Sequence, residues 1–426
     1  MKGLSKTIIW LMSLLFSAVS VSAQEAAEAA RVVVSGVVTD ASTGRPVPQA
    51  TIAVAGTHVS VVSNDDGFFT LKAAAMPQGI VVSCVGYQSQ KLKGQSLFPK
   101  GKGVGDGRTL TIALKPTAIS LSEIVVWTED PRELVRIAMS KIPQNYSREP
   151  ELFRGFYRET AMKRQHYIYV AEGVVDMYKT AYDHNNYRDR VAIRKGRRLL
   201  SSKQGDTLTV KVMGGPVQPI QLDIVKNHDF LLNAQELNNY NFEMLPSTTI
   251  ADRLQYVVAI SPRWPVEWPL YNGRLYIDRE TLAFTRAELS LDVSDREKAT
   301  RYMLIRKPAG VRFRPRELST LIDYRYEQGV TRISYIRNTF RFNCDWKRRL
   351  FATSFAACCE MVVTDHEPAK GRAPISGRDS FDSRDAFYDK VDFFLDPLFW
   401  EDYNIIEPSV SLDEAIDKLL KKRIKR

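Results

Sequence analysis

The stretch VVVSGVVTDASTGRPVPQATIAVAGTHVSVVSNDDGFFTL, residues 32–71, decides how the front of this chain folds. Its β-branched runs VVVSGVVTD and TIAV are short, and STGRPVPQA separates them with a glycine and two prolines. Further on, Asn64 to Gly67 breaks the pattern again, and Asp66-Gly67 suits a turn that needs positive φ. IVVSCVGYQSQKLKG (80–94) supplies another strand pair, and TLTIALKP (109–116) closes the unit near Pro116. Strands this short, with a turn signal every several residues, predict a seven-stranded antiparallel β-sandwich over residues 31–116.

Upstream of that unit lies the one strongly apolar run, IIWLMSLLFSAV, with Lys2 and Lys6 before it and Val21, Ser22, Ala23 after it. A run so short with those flanks reads as a secretory signal peptide (1–23) cut before Gln24, followed by a tether over 24–30. No cysteine stands at the cut, which argues against a lipoprotein anchor. The 426 residues carry 60 Lys and Arg against 49 Asp and Glu, a net charge of +11, and loss of Lys2 and Lys6 leaves +9. Export takes nucleic acid out of the expected partners, so the basic balance points to anionic envelope surfaces or to solubility. At 44% hydrophobic and 26% charged, the chain is neither disordered nor a helical membrane bundle, and its length fits two or three domains.

Past a linker (117–128), WTEDPRELVRIAMSKIP reads as a helix with Asp130 as cap, Pro131 in its first position and Glu133 as capping-box partner. From Leu152 to about Asp365 the signal is mostly strands, with Asp278 to Thr281 as a polar hairpin turn inside LYIDRETLAF. QPIQLDIVKNHDFL (218–231) is a candidate helix crossing the sheet. The expected fold of 129–410 is a strongly curved antiparallel sheet covered by helices, half-barrel-like, an α+β unit in a mainly β chain. A basic amphipathic helix over 411–426 ends it, with Leu412, Ala415, Ile416, Leu419 and Leu420 on one face.

The motifs SGVVTD, GRPVPQATIAV, VSNDDGFFTL, VSCVGYQSQ and IALKPTAISLSEIVV together resemble the carboxypeptidase regulatory-like domain of Bacteroidetes envelope proteins, a transthyretin-like sandwich. That resemblance implies a structural or interaction module and no peptidase. The helix followed by a meander is similar, at the level of pattern, to the LolA-like lipoprotein-carrier half-barrel. GFYRE, YIDRET and DPLFWEDYNIIEP resemble uncharacterised envelope proteins that join the same two parts.

Catalytic signals are weak. The five histidines, His58, His166, His184, His228 and His366, are scattered along the chain, so no metal set and no cofactor is expected. Asp65-Asp66, Glu159, Glu172 and Glu401-Asp402 read as turn or solvated carboxylates. The glycine-rich Lys100–Gly107 stretch lies between strands and reads as a loop, not a phosphate cradle. Cys84 reads as a small buried hydrophobe. Cys344 and either Cys358 or Cys359 flank a turn, so one cross-strand disulfide or three free thiols both fit. Basic clusters stand at Arg194–Arg198, Lys347–Arg349 and Lys421–Arg426. In SPRWPVEWPLYNG, Trp264 and Trp268 sit among prolines in a rigid loop, either as the rim of an apolar ligand cavity or packed on the sheet.

These features favour a non-enzymatic, periplasmic accessory protein, peripheral to the outer membrane, that binds an envelope protein or an apolar or lipid ligand. The C-terminal helix is expected to dock its apolar face on the sheet with a solvated basic tail, contact with an anionic membrane surface being the alternative for this helix. The alternative is a carboxylate-dependent hydrolase acting on envelope glycans or lipids.

Overall fold

The structure, a computed structural model, describes residues 32–97, 109–117, 130–201, 211–212, 215–346, 351–383, 385–393 and 399–424. The expected signal peptide and tether, the glycine-rich stretch, most of the expected linker and the Lys347–Arg349 cluster lie outside those residues. Seven strands build the front unit: β1 (Val32–Asp40), β2 (Thr51–Val54), β3 (Ser60–Val62), β4 (Phe68–Ala73), β5 (Gly79–Ser83), β6 (Gln90–Lys93) and β7 (Thr109–Leu114). They form two sheets, ordered β4-β1-β7 and β3-β2-β5-β6. Alternating residues Val34, Val38, Ile52, Val61, Phe69, Leu71, Ile80, Val82, Ile112 and Leu114 fill the space between them. One detail departs from the all-antiparallel expectation, because β7 runs parallel to β1. Gly67 takes φ +73°, as its turn requires, and a Cβ there would meet the Val38 carbonyl.

The second part begins with helix α1 (Pro131–Ser140), whose Asp130 cap accepts the Arg132 amide at 2.9 Å. One sheet of eleven strands follows. In chain order they are β8 (Glu151–Lys163), β9 (His166–Lys179), β10 (Arg190–Leu200), β12 (Tyr240–Ile250), β13 (Arg253–Pro262), β14 (Tyr271–Asp278), β15 (Phe284–Leu291), β17 (Val311–Glu327), β18 (Val330–Trp346), β19 (Thr353–Pro368) and β20 (Asp392–Phe393). The short β11 (Lys211–Val212) and β16 (Leu304–Arg306) pair with each other, and α2 (Arg296–Met303) precedes β16. Strand order in the sheet is β12-β13-β14-β15-β17-β18-β19-β8-β9-β10-β20, antiparallel throughout except for β10 with β20. The sheet is open. Hairpin turns fix its register. Ala251 and Asp252 both take positive φ between β12 and β13, as do Gln328 and Gly329 between β17 and β18.

Both faces of this sheet are covered over β8 and β9, which explains why these strands are buried almost continuously instead of alternating with solvent. On one face lie Leu134, Val135 and Ala138 of α1 and the segment around Ile220, Ile224, Val225, Leu231 and Leu237. That segment corrects the helix expected over 218–231. Only Gln218–Gln221 makes a helical turn, and the rest is a chain of turns with Leu222 to Lys226 buried. It fills the face as an irregular plug. On the opposite face, Phe156, Val174, Tyr335 and Val362 meet Val62 of the sandwich and Trp400, Ile405 and Ile406. Helix α3 (Val410–Ile424) lays Leu412, Ile416 and Leu419 on Val170 and Leu199. Its apolar stripe therefore packs on protein, as the docked reading of this helix expects, and is not free for the alternative lipid contact.

Candidate functional site

The seam between sandwich and sheet gathers most of the unusual chemistry. Strands β2 and β3 form a hairpin whose one face enters the sandwich core through Val61, while Val62 points outward onto the sheet. The chain beyond Phe399 then passes over the same place and ties the two units together. Lys72 donates its Nζ to the Trp400 and Tyr403 carbonyls at 2.6 and 3.0 Å, and Asn404 bonds the Lys72 backbone in both directions. Asn64 donates to the Pro408 carbonyl, and Asp65 meets Arg337 at 2.8 Å. Asp66 accepts the Val410 amide at the start of α3. The Asp65-Asp66 turn is thus a docking element as well as a turn.

Beneath this strap runs a buried ionic network. Arg158 reaches Glu172 at 2.7 Å, Glu360 at 3.4 Å and the Ile406 carbonyl at 2.6 Å. Glu172 also accepts from Arg197 and from the Trp400 indole. Burial works to raise the Glu172 carboxyl, but the two guanidiniums hold it below the usual carboxylate range. The expectation of solvated carboxylates fails here, since Glu159 and Glu172 are both buried. Coverage of both sheet faces is the reason: Glu172 lies on the face of Phe156 and Val174, and Glu159 on the opposite face with Tyr157 and Ala161. Glu159 accepts from Tyr157, Tyr169 and the Gly215 amide, so both its oxygens are engaged by donors.

A second buried cluster sits between the plug and the sheet. Asp223 accepts from Lys179 at 2.8 Å, from Tyr182 at 2.9 Å and from Tyr324 at 2.8 Å. Lys226 pairs with Asp189 at 3.3 Å and donates to the Thr180 and Ala181 carbonyls. Burial, with Lys179 nearby, lowers the Lys226 amine to about 8. No periodic signal in the sequence marks these four charges, because their partners come from β9, the following loop and an irregular segment.

The histidines expected to be scattered converge in part. His58, in the β2–β3 turn, and His366, on β19, have ring centroids 4.0 Å apart, with Glu327 at the end of β17 between them. The Glu327 Oε2 atom lies 2.9 Å from His366 Nε2 and 3.4 Å from His58 Nδ1. The three ligand atoms lie within 4.8 Å of one another, a convergence that the scattered positions of the histidines along the chain did not suggest. Distance along the chain hid it: His58 is a residue of the sandwich, the others of the sheet.

Trp264 and Trp268 stand on the loop between β13 and β14 and are 44% and 48% exposed. Trp264 donates to Asn239 at 3.1 Å and lies under Arg263, while Trp268 donates to Glu236 at 3.4 Å. With Pro262, Pro265, Pro269, Asp295 and Lys298 they line an open cleft of about 390 Å³. A second cavity, about 250 Å³, lies at the sandwich edge between Cys84, Asp278, Arg286 and Asp323. Its two carboxylates are held by Arg253 and Arg286.

The cysteines stay apart. Strands β18 and β19 do pair, but Cys344 stands opposite Thr353, while Cys358 and Cys359 stand opposite Thr339 and Asn338. Cys344 and Cys358 are five registers apart, about 17 Å along the strand, against the roughly 4.4–6.8 Å between Cα atoms that a disulfide spans. All four thiols are free, and burial raises Cys84 and Cys358 to about 11 and Cys344 to about 12.

Residues 34–126 match the family model of the CarboxypepD_reg-like domain, in line with the motifs of the front unit. No curated protein matches the chain. Among solved structures, a DUF1329 family protein from Desulfovibrio piger overlaps 57% of this chain and 96% of its own, at 7% identity and TM-score 0.25. A domain described as an outer membrane lipoprotein-sorting protein, from Vibrio parahaemolyticus, overlaps 59% and 97% at 9% identity and TM-score 0.25. A membrane-associated protein of unknown function from Bacteroides fragilis overlaps 79% and 98% at 9% identity and TM-score 0.16. Overlaps at these scores carry no argument about activity. Among the described residues, no helix is long and apolar enough to cross a membrane.

Proposed function

We propose that this chain is an exported, non-enzymatic envelope accessory protein, periplasmic after cleavage before Gln24, that engages another envelope protein through the tryptophan–proline loop. The exposure of two indoles on one proline-braced loop is the observation that carries this reading. Aromatic side chains held in place by a rigid backbone lose little entropy on contact, and tryptophan is prominent among residues that dominate binding energies. The interior of the sheet offers less. Its covered face is filled by α1 and the plug, so an apolar ligand held inside the half-barrel has less support than a partner held at this rim.

Carboxylates that a hydrolase would use are engaged elsewhere, in the Arg158–Glu172, Asp223–Lys179, Asp278–Arg253 and Asp323–Arg286 pairs. A photo-crosslinking residue placed at position 268 in cells tests the reading. A discrete protein adduct, absent from a control placed at exposed Tyr187, is expected. Adducts to lipid alone would turn the assignment to an apolar ligand, and no adduct with the folded protein would remove the loop from it. Turnover of envelope glycan or lipid, abolished by a single carboxylate substitution, would replace the reading with hydrolysis.

A further inference from the structure

The geometry points to a zinc-type divalent cation site formed by His58, Glu327 and His366, bridging the sandwich and the sheet. Two ligands about 2.0–2.1 Å from a tetrahedral zinc ion stand about 3.3 Å from each other. Glu327 Oε2 already lies 2.9 Å from His366 Nε2 and 3.4 Å from His58 Nδ1. An ion would therefore replace two hydrogen bonds with only small side-chain movement. The third pair of ligand atoms also lies within 4.8 Å. His366 and Glu327 are 4% and 14% exposed and fixed on strands, whereas His58 is 34% exposed on a turn, which leaves a route for entry and an open position for water.

Charge around the three ligands selects the kind of ion. Glu327 is the anionic ligand, and Arg325 holds its other oxygen at 2.6 Å. The same guanidinium bonds the His58 carbonyl at 3.1 Å. It is itself flanked by Arg332, which pairs with Glu151, and by Asp365. A cation bound mainly by charge, such as Mg²⁺ or Ca²⁺, would feel Arg325 and find one carboxylate oxygen where it needs several. An ion that forms strong bonds to imidazole tolerates that surrounding better. Binding would tie the β2–β3 turn to β17 and β19, locking the seam at a point the strap beyond Phe399 does not reach.

The test uses the full mature chain, untagged and stripped with chelator, titrated with zinc chloride and monitored by calorimetry and thermal unfolding. Saturable binding of about one ion per chain is expected, with a rise in Tm and no competition from magnesium. Loss of groups that merely orient a ligand typically lowers metal affinity about 10–100-fold, so His58→Ala should weaken zinc by about 100-fold or more. That variant changes a half-exposed turn residue and should keep its fold, while His184→Ala, far more exposed, should bind as the parent does. His366→Gln offers a second variant should His58→Ala lose structure. Absence of saturable zinc binding in the micromolar range, or unchanged affinity in folded His58→Ala and His366→Gln, would overturn the site.

Discussion

Lys226 shows how much a single residue's environment can depart from what its neighbours in sequence suggest. It stands in DIVKNHD, within the stretch read as a candidate helix crossing the sheet. In the structure it is fully buried, with its ammonium on two carbonyls and Asp189. Its folded pKa of about 8 lies below the ordinary lysine value of 10.5. Between those values the unfolded chain keeps a proton that the folded chain has released, so this residue's contribution to stability increases as pH rises through that window. The expected outcome is that the stability of the parent relative to Lys226→Met grows between pH 8 and 10, by on the order of 1–3 kcal/mol. Urea unfolding of both proteins across that range measures it, and a constant difference would contradict the assignment. The same argument separates what residue types can and cannot reveal. Cys84 reads as a buried small side chain in a strand, yet it stands just past the end of β5, half-buried at the edge of a cavity. The Cys344 pairing was not legible, because two strands can be recognised as neighbours while the offset between them stays hidden.

Elements were more legible than residues, for reasons of periodicity. The Asp130 cap with Pro131, the polar turn after Asp278 and the apolar stripe of α3 each rest on interactions within a few residues, and each forms as the local pattern requires. Asp278 accepts the Thr281 amide at 2.9 Å and its hydroxyl at the same distance, which explains why DRET closes a hairpin. The plug over 218–231 failed the same kind of reading. The segment's apolar residues suggested a helix, whereas Asp223 is positioned by Lys179 on β9 and Tyr324 on β17, and Lys226 by Thr180, Ala181 and Asp189 in the loop after β9, partners that no local window contains. For the sandwich, local and tertiary signals agree. Val34, Ile52, Phe69, Val82 and Ile112 close on one another without help from the sheet. A fragment spanning 31–116 is therefore expected to fold alone and melt cooperatively. Circular dichroism and a dispersed proton spectrum would check it, and a broad, gradual transition would show that the sheet is needed to complete it.

At the scale of the whole molecule, the relation of the two units depends on contacts between residues far apart in the chain, such as Ser89 with Asp252, Asp65 with Arg337 and Asp66 with Val410. Composition and turn signals could separate the units, but nothing periodic connects them, and the His58–Glu327–His366 convergence was missed for the same reason. Val62 isolates the effect of docking. Its neighbour Val61 belongs to the sandwich core, while the Val62 side chain belongs to the cluster that holds Phe156, Val174, Val362 and Trp400 of the second part. A carboxylate at that position would have no partner on an apolar face, and burying an unpaired charge is among the strongest ways to oppose a contact. Val62→Asp should therefore separate the units while leaving each core intact. The expected outcome is two resolved thermal transitions in place of one and a larger radius of gyration in solution scattering. If the seam were incidental, scattering and melting would match the parent. If Val62 belonged to the sandwich core, the 31–116 fragment carrying the same substitution would also lose its cooperative melt, so measuring the fragment beside the full chain distinguishes docking from folding.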